Sequence, residues 1–98
     1  MENQIKSIAN SIKEEIISLR HTIHKHPELS FQEENTATLV ENYLSGLGLK
    51  TNRIGKTGVW AMINGNGKSS KTIALRADLD ALPIQEINQT DYASVVPG

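Results

Sequence analysis

A chain of 98 residues with 38% hydrophobic side chains, a formal charge of −1 and no cysteine suits one small domain or a part of a larger one. The missing cysteines exclude a disulfide framework and a thiolate zinc site, and the near-neutral charge removes the electrostatic case for nucleic acid. No apolar run approaches the roughly 20 residues that span a bilayer, and Glu2, Asn3 and Gln4 stand where a secretory signal would carry basic residues, so the expectation is a soluble, cytoplasmic chain.

The first element is a helix. Ile5, Ile8, Ile12, Ile16, Leu19 and Ile23 follow one another at spacings of 3, 4, 4, 3 and 4. At 100° per residue they form a single apolar stripe, with Lys6, Lys13, Glu14 and Arg20 on its flanks or beyond. The pattern predicts an amphipathic helix over residues 4–24, stopped by Pro27, which also pushes His26 out of helical geometry. A second helix is expected to open on a capping box, Ser30 with Glu33. Thr36, Ala37, Leu39, Val40, Tyr43, Leu44 and Leu47 supply its apolar face, and Gly46 or Gly48 its stop.

Three strands are expected next, over residues 49–54, 59–63 and 72–77. Gly55 to Gly58 reads as the turn between the first two, and Asn64-Gly65-Asn66-Gly67 as the turn before the third. Neither glycine-rich stretch has the spacing of a phosphate-binding loop, and no helix follows to aim its amides at a phosphate. The expected class is α/β, with helices packed on one face of a sheet. The chain ends on Val95-Val96-Pro97-Gly98 with its sheet just begun, so an incomplete carboxyl end is expected.

Two groups of residues could carry chemistry. His21, His24 and His26 lie within six positions. Two imidazoles at i, i+3 can share a helix face and hold a metal, with Glu28 as the nearest acidic partner. Equally, polar and cationic side chains suit the carboxyl end of a helix because of its dipole. The second group is Arg76-Ala77-Asp78-Leu79-Asp80-Ala81-Leu82-Pro83. In an extended backbone Asp78 and Asp80 project to one side beyond the carboxyl end of the third strand, where open α/β sheets bind ligands. Such a pair shares a proton, binds a cation, or is neutralised by a neighbour such as Arg76. The competing reading is a turn, which Pro83 favours.

Leu19-Arg20, His24, His26-Pro27-Glu28-Leu29-Ser30-Phe31, Glu33-Glu34, Thr36-Ala37, Leu47-Gly48 and Thr57-Gly58-Val59 stand in order along the chain. They lead to Ile73-Ala74-Leu75-Arg76-Ala77-Asp78-Leu79-Asp80-Ala81-Leu82-Pro83-Ile84 with Glu86. The chain resembles the amino-terminal part of the metal-dependent N-acyl-amino-acid amidohydrolases, the hippurate hydrolase-like branch of the aminoacylase and carboxypeptidase superfamily. The resemblance implies a zinc-peptidase-like catalytic domain with helices on a mixed β-sheet, plus a smaller inserted domain that helps the protein dimerise. It also implies a pair of divalent ions, manganese, zinc or nickel, that activate water against an amide carbonyl, and a glutamate as general base.

The family's His-Ala-Cys-Gly-His-Asp segment, its Glu-Glu pair and its later histidine ligands have no counterpart before Gly98. Residues 1–98 are therefore expected to be the amino-terminal part of the catalytic domain, without bound metal and without activity on their own. The resemblance carries over Asp80 as a support that orients a metal-binding side chain, and Asp78 as a candidate near the metals. The substrate implied is a small N-acyl amino acid or peptide-like conjugate. No nucleic-acid or membrane partner is expected, and the full-length protein is expected to be a homodimer. The rival readings are a small α/β module that binds a partner without chemistry, and a family member that keeps the fold without catalysis. Hydrolysis of N-acyl amino acids by the full-length protein separates them.

Overall fold

A stripe of six aliphatic side chains at helical spacing, followed by proline, dictates the first element of the computed structural model, which describes residues 1–82, 84, 90 and 92–96. Pro83 and Glu86, singled out in the sequence, lie outside the described residues. The chain divides into two compact units, one of Met1–Pro27 with Leu82–Gly98 and the other of Glu28–Ala81.

In the first unit, α1 runs over Glu2–Lys25. Glu2 and Lys6 pair across one turn at 3.4 Å, with the acid nearer the amino end, where the helix dipole favours it. The helix ends where the residue before a proline must leave helical geometry: His26 has φ −124° and ψ 69°. Its N–H still bonds to the Ile23 carbonyl at 3.2 Å, and Val95 N–H donates to the Lys25 carbonyl at 2.9 Å. One orphan carbonyl at the helix end is thus satisfied from the far end of the sequence. The amino-terminal part of the aliphatic stripe is not covered: Ile5, Ile8, Ile12 and Ile16 are exposed, Leu19 and Ile23 are half-buried, and no residue of α1 is buried.

In the second unit, α2 runs over Glu34–Gly46. Its start corrects the capping box. Residues 29–32 form a turn closed by Gln32 N–H to the Leu29 carbonyl at 2.9 Å, so Ser30 lies four residues before the helix. The cap position falls on Glu33, which makes no side-chain cap bond. Glu28 caps instead: its carboxylate accepts from Asn35 N–H at 3.2 Å and from both the N–H and the hydroxyl of Thr36 at 2.6 Å. A carboxylate here also meets the positive end of the helix dipole. The far end of α2 is closed as a Schellman motif: Leu49 N–H reaches the Leu44 carbonyl at 3.2 Å and Gly48 N–H the Ser45 carbonyl at 3.0 Å. Gly48 takes φ +87°, which only glycine adopts without strain.

Strands β1, Thr51–Ile54, and β2, Gly58–Ala61, pair antiparallel in the register Thr51 with Ala61 and Ile54 with Gly58. A three-residue loop joins them, and its first residue, Gly55, takes φ +63°, a conformation glycine adopts without strain. A Cβ at position 58 would lie 2.6 Å from the Ile54 carbonyl oxygen. Gly58→Ala is therefore expected to cost about 1–3 kcal/mol through forced backbone movement, read as a lower unfolding temperature of the protein.

α2 lies against both strands. Ala37 is fully buried there, and Thr36 and Thr57 are buried beside it. Polar contacts do much of the fastening. Arg53 of β1 makes a two-pronged bond to Glu41 of α2 at 2.9 and 3.0 Å and also donates to the Lys56 carbonyl at 2.9 Å. The hydrogen bond from Arg53 holds the Glu41 carboxyl below its ordinary range. Lys56 pairs with Glu34 at 2.8 Å, and Thr57 donates to Glu33 at 3.4 Å.

The third expected strand does not form. Residues 72–77 make no ladder with β2, and Ile73 and Leu75 are 88% and 97% exposed. A strand exists through the neighbour it bonds to, and an alternating apolar pair needs a covering layer that the Glu28–Ala81 unit does not provide. The helix-on-sheet class stands. The sheet among the described residues is the antiparallel pair β1–β2 alone.

Candidate functional site

The Glu28–Ala81 unit contains a cleft of about 560 Å³. One wall is the turn before α2, with Ser30, Phe31 and Glu33; another is the β1–β2 loop; the third is the segment from Arg76 to Asp80. Both carboxylates singled out in the sequence therefore line one cavity. Asp78 pairs with the Arg76 guanidinium at 2.8 Å, the neutralised arrangement among those open to such a pair. Asp80 is exposed at the same wall.

Glu33 is a third carboxylate on the cleft, and sequence reasoning assigned it only a capping role. Its Oε1 accepts the Thr57 hydroxyl bond at 3.4 Å. No one-dimensional signal links positions 33 and 80; only the packing of the hairpin on α2 brings that turn to the cleft. Phe31 lines the cleft from the same turn. It has φ +66° and is the one non-glycine residue with positive φ among the described residues. This conformation costs an ordinary side chain about 1–2 kcal/mol. It occupies the third position of the 29–32 turn, where a positive φ usually calls for glycine or asparagine.

The histidines of the first unit are placed differently. His21 stacks on the Tyr92 ring at 3.9 Å with 15° between planes, and His24 meets the same ring edge-on at 5.4 Å. The Arg20 guanidinium lies 5.7 Å from its centre. His26 Nδ1 bonds the Thr22 carbonyl at 3.1 Å. The three imidazoles thus serve an aromatic contact and a helix end. Tyr92 is invisible in the sequence as the partner of His21 and His24, because it stands 71 and 68 positions farther along the chain.

The donor set can be tested against a pair of divalent ions. Among the described residues no three His, Cys, Asp or Glu side chains come together in a way that could hold a metal ion. Glu33, Asp78 and Asp80 line the cleft without forming such a group. The described side chains do not by themselves make a dinuclear centre.

No protein-family model matches the chain. It is 44% identical over 98 residues to an N-acyl-L-amino acid amidohydrolase of Geobacillus stearothermophilus, a match over 99% of this chain and 26% of that relative. It is 41% identical over 97 residues to thermostable carboxypeptidase 2 of Saccharolobus solfataricus, over 97% of this chain and 24% of that relative. The crystal structure of the Bacillus subtilis YXEP protein, a dinuclear metal binding peptidase from the M20 family, matches with a TM-score of 0.82 at 40% identity, over 91% of this chain and 25% of that one. The chain spans about a quarter of the length of the curated relatives it matches. A shared fold at 40% identity goes beyond architectural likeness, and these 98 residues belong to the M20 family of metal-dependent amidohydrolases and peptidases, corresponding to its amino-terminal portion.

Proposed function

We propose that the whole protein hydrolyses the amide bond of N-acyl amino acids or small peptide-like conjugates by metal-activated water. Residues 1–98 are the amino-terminal part of its catalytic domain. The observation that carries this reading is the cleft with Asp78 and Asp80 on one wall, in a chain 44% identical to an N-acyl-L-amino acid amidohydrolase. The metal ligands and the general base come from residues beyond position 98, as does the smaller domain through which the protein forms a homodimer. Manganese, zinc or nickel is the resident ion, and the cytoplasm the location. Asp80 acts on the centre by orienting a metal-binding side chain without touching the ion, and Asp78 stands at the rim with its charge held by Arg76.

The test is hydrolysis by the full-length protein, loaded in turn with manganese, zinc and nickel, of N-acetyl, N-benzoyl and N-octanoyl amino acids. Release of free amino acid that disappears on chelation and returns with the metal is the expected result. A protein with metal confirmed bound that cleaves none of these amides overturns the proposal and leaves a non-catalytic member of the fold.

A further inference from the structure

We infer that Phe31 is a specificity-determining residue of this cleft, forming the wall that receives the larger apolar group of the substrate. The inference rests on the hydrolase reading and deepens it.

Three observations meet at this residue. Phe31 lines the same cleft as Asp78 and Asp80, and Val40, Ile54 and Val59 supply further apolar lining. Its side chain is 81% exposed, so the phenyl group adds almost nothing to the packing of the Glu28–Ala81 unit. Its backbone is left-handed at φ +66°, in a turn that glycine would relax. A phenyl ring held at a strained backbone position on a cleft fits a binding surface, because strain of this kind gathers at ligand-contacting sites. The cleft lining offers both carboxylates, Glu33, Asp78 and Asp80, and apolar surface, Phe31 with Val40, Ile54 and Val59. A substrate with an amide flanked by a hydrocarbon group matches both: the amide faces the acids and the hydrocarbon faces Phe31.

The experiment uses the full-length, metal-loaded protein and two substrate series. One varies the acyl group from acetyl to octanoyl and benzoyl; the other varies the amino-acid side chain from glycine to leucine and phenylalanine. Phe31→Ala is expected to lower kcat/KM for the large apolar members roughly tenfold or more relative to the smallest member of a series. Phe31→Leu is expected to fall between. Phe31→Gly guards against a folding artefact: relieving the positive φ keeps or raises the unfolding temperature while selectivity is lost as in Phe31→Ala. Calorimetric binding of N-octanoyl and N-acetyl amino acids to the metal-free full-length protein gives the same ratio without turnover.

An active wild type whose selectivity is unchanged in both Phe31→Ala and Phe31→Gly overturns the inference and leaves the hydrolase reading intact. So does a Phe31→Gly protein with a lower unfolding temperature and an equal loss on every substrate, which marks a structural ring. A wild type that neither cleaves nor binds any member overturns both.

Discussion

Asp80→Asn in the full-length protein is expected to lower kcat on N-acyl amino acids roughly 10- to 100-fold, the usual cost of removing a carboxylate that orients a metal-binding side chain. The substitution keeps the volume and removes the charge, so the effect falls on the ligand's orientation and basicity. KM should change less, because the proposed role does not touch the substrate. Asp80 is exposed in the Glu28–Ala81 unit and lines its cleft. An exposed position of this kind contributes little to folding, and the unfolding temperature should stay within the range of ordinary surface substitutions. Three readouts separate positioning from mere structure: metal affinity by elemental analysis after dialysis falls, the pH profile of kcat shifts, and Asp80→Glu recovers part of the rate. Asp78→Asn should cost less, since Arg76 already compensates that charge at 2.8 Å. Full kcat and undiminished metal affinity in Asp80→Asn would remove Asp80 from the proposed centre.

Glu28→Ala is expected to destabilise the protein by about 3 kcal/mol. The carboxylate receives three hydrogen bonds at the start of α2, two of them from Thr36, which is only 4% exposed. Truncation leaves the N–H and hydroxyl of a buried residue without partners, each worth about 1–3 kcal/mol in lost solvation, beyond the loss of a charged cap. Adding Thr36→Val should restore part of the deficit, because a hydroxyl that is absent needs no partner.

The pH dependence follows from the same contacts. Burial raises the Glu28 pKa, and it is the largest single influence. The bonds from the Thr36 hydroxyl, the Thr36 and Asn35 N–H groups and the Asn35 side chain together outweigh it, so the net value lies below the ordinary 4.5. A folded pKa depressed in this way gives stability that is fully present above pH 4.5 and is lost as the pH falls through the folded value. The gap in unfolding free energy between wild type and Glu28→Ala should therefore be constant near neutrality and narrow at acid pH. Denaturant unfolding between pH 3 and 7 measures it. A gap that does not narrow would mean that the cap works without its charge.

Elements set by neighbours in sequence were legible, and those set by distant neighbours were not. α1 follows from a local repeat and a proline, and its observed bounds differ from the expected 4–24 by two residues at one end and one at the other. The β1–β2 hairpin follows from two short strand-like runs on either side of Gly55 to Gly58, where Gly55 takes φ +63°. The cap of α2 was misread because Ser30 and Glu33 have the spacing of a capping box. Glu28, farther back, wins because the 29–32 turn folds its carboxylate onto the helix end. The third strand was misread for the opposite reason: its composition is right, and the neighbour that would make it a strand is missing from the Glu28–Ala81 unit.

The sequence by itself determined the helices, the hairpin and the family, because periodicity, punctuation and an ordered set of short motifs are one-dimensional properties. It also marked Asp78 and Asp80, since two carboxylates after an apolar run are visible without a fold. The tertiary structure decided what surrounds them. It brought Phe31 and Glu33 to the cleft that Asp78 and Asp80 line, capped α2 with Glu28, and turned His21 and His24 to the ring of Tyr92. Each of those contacts joins residues whose separation along the chain has no period, and only the burial of one element against another sets such distances.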